Sequence, residues 1–307
     1  PVADASHGRV YYDSESGSYY SLISHLHEGE ELTAWQQTDS LPDASGMYYL
    51  TGNVTLTSGQ ALGNDVTLCV NGHSVTGNVT VTGGSFTLTD CGSGSLTGDV
   101  TVNEGGSFTL EDCALSGKIE NSGTLTVTGG SFEGNTADEA AGAIYNADGA
   151  KLTVDGVSFK KNTAKFGGAI NNAKTASDKE AATLTVKNSQ FIGNTSLNSQ
   201  GGAIRNQGTI TEISGSTFKG NKASNGGAIN NGEWGQIKLI TNSVFDGNEA
   251  TLENTAARDG GAILNRGTIE SIADSTFTNN KTSGAGGAIL NKDGASLTFN
   301  GTNTFTN

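Results

Sequence analysis

Proline is nearly missing from this chain, with 2 in 307 residues, and methionine occurs once. So little proline leaves few positions at which a β ladder must be interrupted, because proline has no N–H to donate. Basic residues are also scarce: 17 Lys and Arg stand against 31 Asp and Glu, a formal charge of −14. This argues against nucleic acid and anionic membranes as partners, since both need cationic side chains to displace counterions. No apolar run approaches the ~20 residues of a membrane helix, so no membrane insertion is expected of this segment. The first residues also lack the basic and apolar regions of a signal peptide. Pro1 opens the chain, and Phe305-Thr-Asn307 ends just short of another Phe-x-x-Asn. We therefore expect a fragment of a longer protein, with its export signal and anchor outside the fragment.

Cysteine is sparse too. Cys69, Cys91 and Cys113 are spaced 22 and 22. No Cys-x-x-Cys spacing suggests a metal. In a solenoid of that coil length the three would stack as small buried side chains, a reading preferred to a disulfide framework.

What the chain has instead is glycine, 45 residues of it, and repetition. Phe-x-x-Asn, a short variable stretch and Gly-Gly-Ala-Ile-x-Asn recur six times, with Phe at 132, 159, 191, 218, 245 and 277 and Ile at 144, 170, 204, 229, 263 and 289. The first copy has Ala141 where the others have the first Gly. A unit of this size cannot bury its own apolar face and must stack on its neighbours.

Within each repeat the segments are short and alternate. Leu152/Val154, Leu184/Val186, Ile210/Ile213, Ile237/Leu239, Ile269/Ile272 and Leu297/Phe299 place apolar residues mostly two apart, as half-buried strands require. No 3.6-residue period is present, which excludes helical repeats. Gly-Gly supplies a positive-φ corner without Cβ. Asn135, Asn162, Asn194, Asn221, Asn248 and Asn280 should stack in register as an amide ladder, with the Asn of Ala-Ile-x-Asn forming a second. Shorter coils precede these: Val79-Thr-Val-Thr-Gly-Gly-Ser-Phe86 returns as Val100-Thr-Val-Asn-Glu-Gly-Gly-Ser-Phe108. Residues 51–307 thus read as coils that continue past Asn307. Residues 1–50 hold six of the seven tyrosines and read as an N-terminal cap over the open end, with a short helix at 21–31.

Phe-x-x-Asn paired with Gly-Gly-Ala-Ile is the signature of the polymorphic outer-membrane-protein repeats of bacterial surface adhesins, which residues 132–307 resemble. Val66-Thr-Leu-Cys-Val-Asn-Gly-His73-Ser-Val resembles the opening coil of right-handed parallel β-helices of the pectin-lyase-like class. The resemblance implies an all-β, right-handed single-stranded parallel β-helix, which at ~4.8 Å per coil makes about 10 to 11 coils and roughly 50 Å. It further implies an extracellular position on a bacterial cell surface. The expected role is adhesion to a host-cell protein or glycan, with no cofactor, no metal and no enzymatic activity, by a monomer. The alternative is a polysaccharide-active enzyme or a carbohydrate-binding stalk on the same fold.

An enzyme would need paired carboxylates or a base beside acidic ligands. Asp90, Asp99, Glu111 and Asp112 occur singly at turns, so no catalytic residue is assigned. His25-x-His27 lacks identifiable partner ligands, and His73 sits in a turn. Candidate binding residues lie where the repeat varies. Arg205 and Tyr145 occupy the x of Ala-Ile-x-Asn, and Arg266 follows the corresponding Asn. Alternation points the x residues outward, as a mixed stripe of Tyr145, Asn171, Arg205, Asn230, Leu264 and Leu290. Trp234 is a large aromatic in an otherwise small, polar turn. Lys174 and Asp178 lie in one lengthened stretch, 174–182, and Glu253 and Arg258 in another, 251–259. Such loops are expected to protrude from one side and to carry recognition. Thr-x-Thr pairs such as Thr87/Thr89 and Thr124/Thr126 raise ice binding as a third class, but they are not expected to persist into the long repeats.

Overall fold

The computed structural model describes residues 9–13, 18–22, 35–90, 92–251 and 258–306. Among them there is no helix; Arg9–Asp13 and Ser18–Leu22 form an antiparallel pair, and the other strands stack into four parallel sheets of thirteen, eleven, ten and six strands. The architecture is a parallel β-helix. One long repeat shows the path of a coil. It runs through Thr183–Lys187 in the first sheet, Gln190–Ile192 in the second, Thr195–Gln200 in the fourth and Ile204–Asn206 in the third. It then re-enters the first sheet at Thr209–Ser214, one level on. The upstream coils lack the fourth-sheet strand.

Apolar residues two apart on each short strand face inward, and stacking buries them in one continuous core from Leu41 to Phe277. Phe132, Phe159, Phe191, Phe218, Phe245, Phe277 and Phe305 stack as one column with ring centroids 4.7–5.1 Å apart, close to the strand spacing. Phe86 and Phe108 stack separately, at 5.5 Å, in the first sheet.

Both asparagine ladders form. In the third sheet each amide donates to the next Oδ1 from Asn121 through Asn146, Asn172, Asn206, Asn231 and Asn265 to Asn291, at 2.6–2.8 Å. Asn121, in the bridging segment, is its first member. In the Phe-x-x-Asn ladder the members from Asn162 to Asn280 also donate Nδ2 to the phenylalanine carbonyl of the preceding coil, as Asn194 does to Phe159 at 3.0 Å. A third ladder has no motif as plain: Ser189, Ser216 and Ser243 each accept the next-lower coil's N–H on Oγ, and Ser275 continues it.

The Gly-Gly pair has two separate jobs. The first residue takes positive φ, +59° at Gly167 and +64° at Gly226, and Ala141 holds +66° at the same place. The second has no room for Cβ, which at Gly227 would stand 2.1 Å from the Gly261 carbonyl oxygen of the next coil.

Five expectations change. The helix expected at 21–31 gives way to a strand where it is described, since Ser21 and Leu22 end strand Ser18–Leu22; residues 23–31 lie outside the described part. Parallel stacking starts before residue 51, because Gln36–Thr38 and Gly46–Leu50 already belong to the first sheet. Ile237 pairs inward with Ile240, not Leu239: Ile240 stands opposite Ile213 and Ile272, so a residue is inserted at the bulge these strands share. The cysteines do not form one column. Cys69 is in register with Thr89 because that coil is 20 residues long, and it packs with Trp35 and Tyr49. Cys91 lies outside the described residues; Cys113 is buried, which pushes its thiol up to about 12, with Asp90 adding to the shift. Finally, a threonine column does enter the long repeats, since Thr67, Thr87, Thr109, Thr126, Thr153 and Thr185 share one register position.

Candidate functional site

Half of the outward stripe on the third sheet is covered. Asn171 and Asn230 are 2 % and 3 % exposed, and Leu264 not at all. The cover is the end of the fourth sheet, where Phe166, Gln200, Asn225 and Asp259 follow one another in register. Local alternation cannot show this, because the covering residues belong to another sheet. Arg205 is accordingly half-buried: its Nε donates to Gln200 Oε1 at 2.6 Å, its Nη1 donates to Asn171 Oδ1 at 3.1 Å, and its guanidinium lies 5.3 Å from the Phe166 ring centroid. Burial lowers its pKa from the ordinary arginine value, while Tyr145 opposes that shift. Burial likewise raises the Tyr145 hydroxyl, with the Asp148 carboxylate adding to it.

Two of the candidate binding residues meet beside this cover. Trp234 and Arg266 line a pocket of about 220 Å³ with Gln200, Gln207, Asn230 and Glu233. The turn Gly232–Gly235 presents Trp234, which is 47 % exposed. Gly232 allows this because a Cβ there would strike the Gln207 side chain at 2.3 Å. Gln207 Oε1 is buried without a donor. Arg205 joins the pocket through Gln200. The arrangement offers an aromatic face, a guanidinium and amides, which suit stacking on a sugar ring or holding a carboxylate. Gln200 and Gln207 carry no signal in the sequence, because they lie outside the repeated motif.

The other candidates lie elsewhere. Tyr145 lines a larger cleft near the start of the fourth sheet. Lys174 and the exposed Asp178 sit in the 174–182 loop, closed at its base by the Ala182 N–H donating to Ala173 O at 3.0 Å. This loop connects the third sheet to the first, whereas residues 251–259 connect the fourth to the third, so the two insertions leave from different corners. Glu253 lies outside the described residues. Arg258 donates to Ser283 Oγ at 3.4 Å and accepts the Thr282 hydroxyl on its carbonyl. Turn acids bind backbone: Asp90 accepts the Gly72 N–H and Asp99 the Lys118 N–H.

Asp259, behind the pocket, is 9 % exposed at its side chain and bonds to Lys292 Nζ at 2.7 Å. Burial alone would raise its pKa, but Lys292, the Ala285 N–H and Arg266 outweigh it and hold the carboxyl below the ordinary aspartate value. Its contribution to stability is thus fully present above about pH 4, the unfolded aspartate value, and is lost as pH falls through the lower folded value. Lys292→Met should remove about 1–2 kcal/mol at neutral pH and less at pH 3, as read by denaturant midpoints.

Stacked parallel coils define a β-helical scaffold, with an aromatic and a cationic side chain sharing a lateral pocket. Residues 274–292 match the Chlamydia polymorphic membrane protein (Chlamydia_PMP) repeat, and the in-register stacking fits a repeat β-helix of that type. No curated protein and no solved structure matches the chain. The match supports a bacterial surface or outer-membrane protein.

Proposed function

We propose that this is a segment of a bacterial surface adhesin, exposed outside the cell, which meets a host-cell protein or glycan through the face around Trp234. The observation that carries the reading is the half-exposed Trp234 beside Arg266 and the amides of Gln200, Gln207 and the buried Asn230, on a scaffold whose repeated residues are otherwise occupied in holding coils together. Exposed aromatics and arginines are the side chains that dominate binding energy at interfaces. The repeat match supports the cell-surface setting.

The test is binding of labelled protein to a glycan array and to cultured animal cells, beside a polysaccharide-degradation assay. Trp234→Ala and Arg266→Ala should each weaken the saturable signal about 5- to 30-fold, since interface anchors are worth roughly 1–2 kcal/mol. The unfolding midpoint should stay within the error of wild type. Saturable binding untouched by both substitutions would move recognition to the loops, and cleavage of a polysaccharide would replace the adhesin reading altogether.

A further inference from the structure

The surface has a step where coils without a fourth-sheet strand give way to coils that have one. Only Gly117 and Lys118 separate Ala114–Ser116 from Ile119–Asn121, whereas Thr136–Ala140 intervenes in the next coil. Thr136–Ala140 is therefore the edge of the fourth sheet. It pairs with Thr163–Phe166 on one side and with no described strand on the other. Beneath this edge is a cleft of about 760 Å³, walled by Ser116, Gly117, Lys118 and Glu120 on the lower coil and Gly134–Glu139 on the upper, with Asp99 and Tyr145. Its size is that of an ordinary ligand site.

Two features say what the cleft would accept. Its walls carry Asp99, Glu120, Asp138 and Glu139 against the single lining cation Lys118; Lys118 pairs with Glu120 at 2.7 Å and Lys165 with Glu139 at 3.5 Å, which leaves Asp99 and Asp138 outside any ion pair among the described residues. An anionic ligand is disfavoured and a cationic one attracted. Independently, Asn135 lines the cleft, is 9 % exposed, and has a buried Nδ2 with no partner. Its Oδ1 accepts the Gly117 N–H at 3.1 Å. The five later members of the ladder, Asn162, Asn194, Asn221, Asn248 and Asn280, all donate this same Nδ2 to a backbone carbonyl of the coil below. Asn135 alone in the ladder has an Nδ2 that makes no such bond.

We propose that this cleft binds an extended, Lys- or Arg-bearing peptide segment of a partner protein, which adds as a strand to the open edge of Thr136–Ala140. The peptide backbone pairs with the edge and supplies carbonyl acceptors near Asn135, while its basic side chains meet the four carboxylates. Charged side chains on an edge strand also discourage self-association. Here they select against a second copy of this chain, whose charge is −14, and in favour of a basic partner.

The test is fluorescence anisotropy of the full chain with a labelled six-residue peptide alternating Lys and Thr. Controls are the Glu-Thr counterpart, the Lys-Thr peptide N-methylated at alternate amides, and a neutral oligosaccharide. The Lys-Thr peptide should bind saturably, and the Glu-Thr peptide should not. Asp138→Lys with Glu139→Lys should weaken binding at least tenfold at an unchanged unfolding midpoint, and N-methylation should abolish it although every charge remains. Equal binding of the N-methylated peptide would reduce the cleft to a non-specific acidic patch. Binding of the oligosaccharide in place of the basic peptide, undiminished binding by the charge-reversed protein, or no binding at all would each overturn the proposal.

Discussion

Phe218→Ala should cost about 4–8 kcal/mol, because a buried Phe→Ala change costs roughly 3–5 and each of the two lost aromatic contacts adds ~0.5–1.5. The ring is fully buried and has neighbours on both faces, Phe191 and Phe245, each 4.7 Å away and within 3° of parallel. The coil spacing itself sets that separation, so the hole left by the ring cannot close without breaking strand pairing on either side. Because stability in a solenoid is a sum of coil and neighbour terms, the loss also uncouples the two halves. Urea unfolding followed by circular dichroism should show a lowered first midpoint and a second step that wild type lacks. Phe305, 46 % exposed and last in the column, is the control: Phe305→Ala should cost under about 1.5 kcal/mol, since little of its ring leaves water on folding. Equal costs at the two positions would show that the column does not stabilise cooperatively.

The second large effect is expected at Asn206, in the middle of the third-sheet ladder. Its Nδ2 donates to Asn231 Oδ1 at 2.7 Å and to the Gln236 carbonyl at 3.3 Å, while its Oδ1 accepts from Asn172 at 2.8 Å. Asn206→Ala should remove about 2–4 kcal/mol, the cost of leaving one buried acceptor bare and one donor weakly met. Asn206→Asp should cost more at neutral pH. The carboxylate keeps the bond from Asn172 but sets an acceptor against Asn231 Oδ1, in a site that is fully buried. Burial favours the protonated form, so the folded pKa of this aspartate is raised above the unfolded value. Its penalty is therefore small below about pH 4 and grows as pH rises from there toward the folded pKa. Denaturant midpoints of the Asp and Ala variants at pH 7 and pH 4 test this: the aspartate variant should gain on the alanine variant as pH falls. An unchanged difference would mean that the ladder is open to water.

Much of the scaffold was readable in the sequence because it is made of short-range rules repeated. The column of Phe132 to Phe305 and the ladder of Asn162 to Asn280 are single residues whose environment is their own copy one coil away, so periodicity alone predicts their contacts. Gly226 and Gly227 were also legible, since positive φ favours glycine at the first and close approach to the next coil leaves no room for Cβ at the second. Where coil length varies, the same reasoning misleads. Cys69 stands opposite Thr89 because the first coil is two residues shorter than the next, and Ile240 replaces Leu239 because a bulge adds a residue that spacing does not reveal.

The candidate site was legible only in part. Trp234 and Arg266 were visible as departures from the repeat, and they share a pocket. Gln200 and Gln207 were not, and the stripe from Tyr145 to Leu264 was expected to face water until the fourth sheet covered much of it. By itself the sequence determined that every long repeat has the same apolar corner, the same amide ladders and the same glycine turn, because each of these is an interaction between equivalent residues. Only the tertiary structure decided which outward faces stay outward, where the fourth sheet begins, that the Asn135 Nδ2 has no acceptor, and which side chains from different coils meet around Trp234. Those contacts join residues that are not equivalent in the repeat, so no period in the chain encodes them.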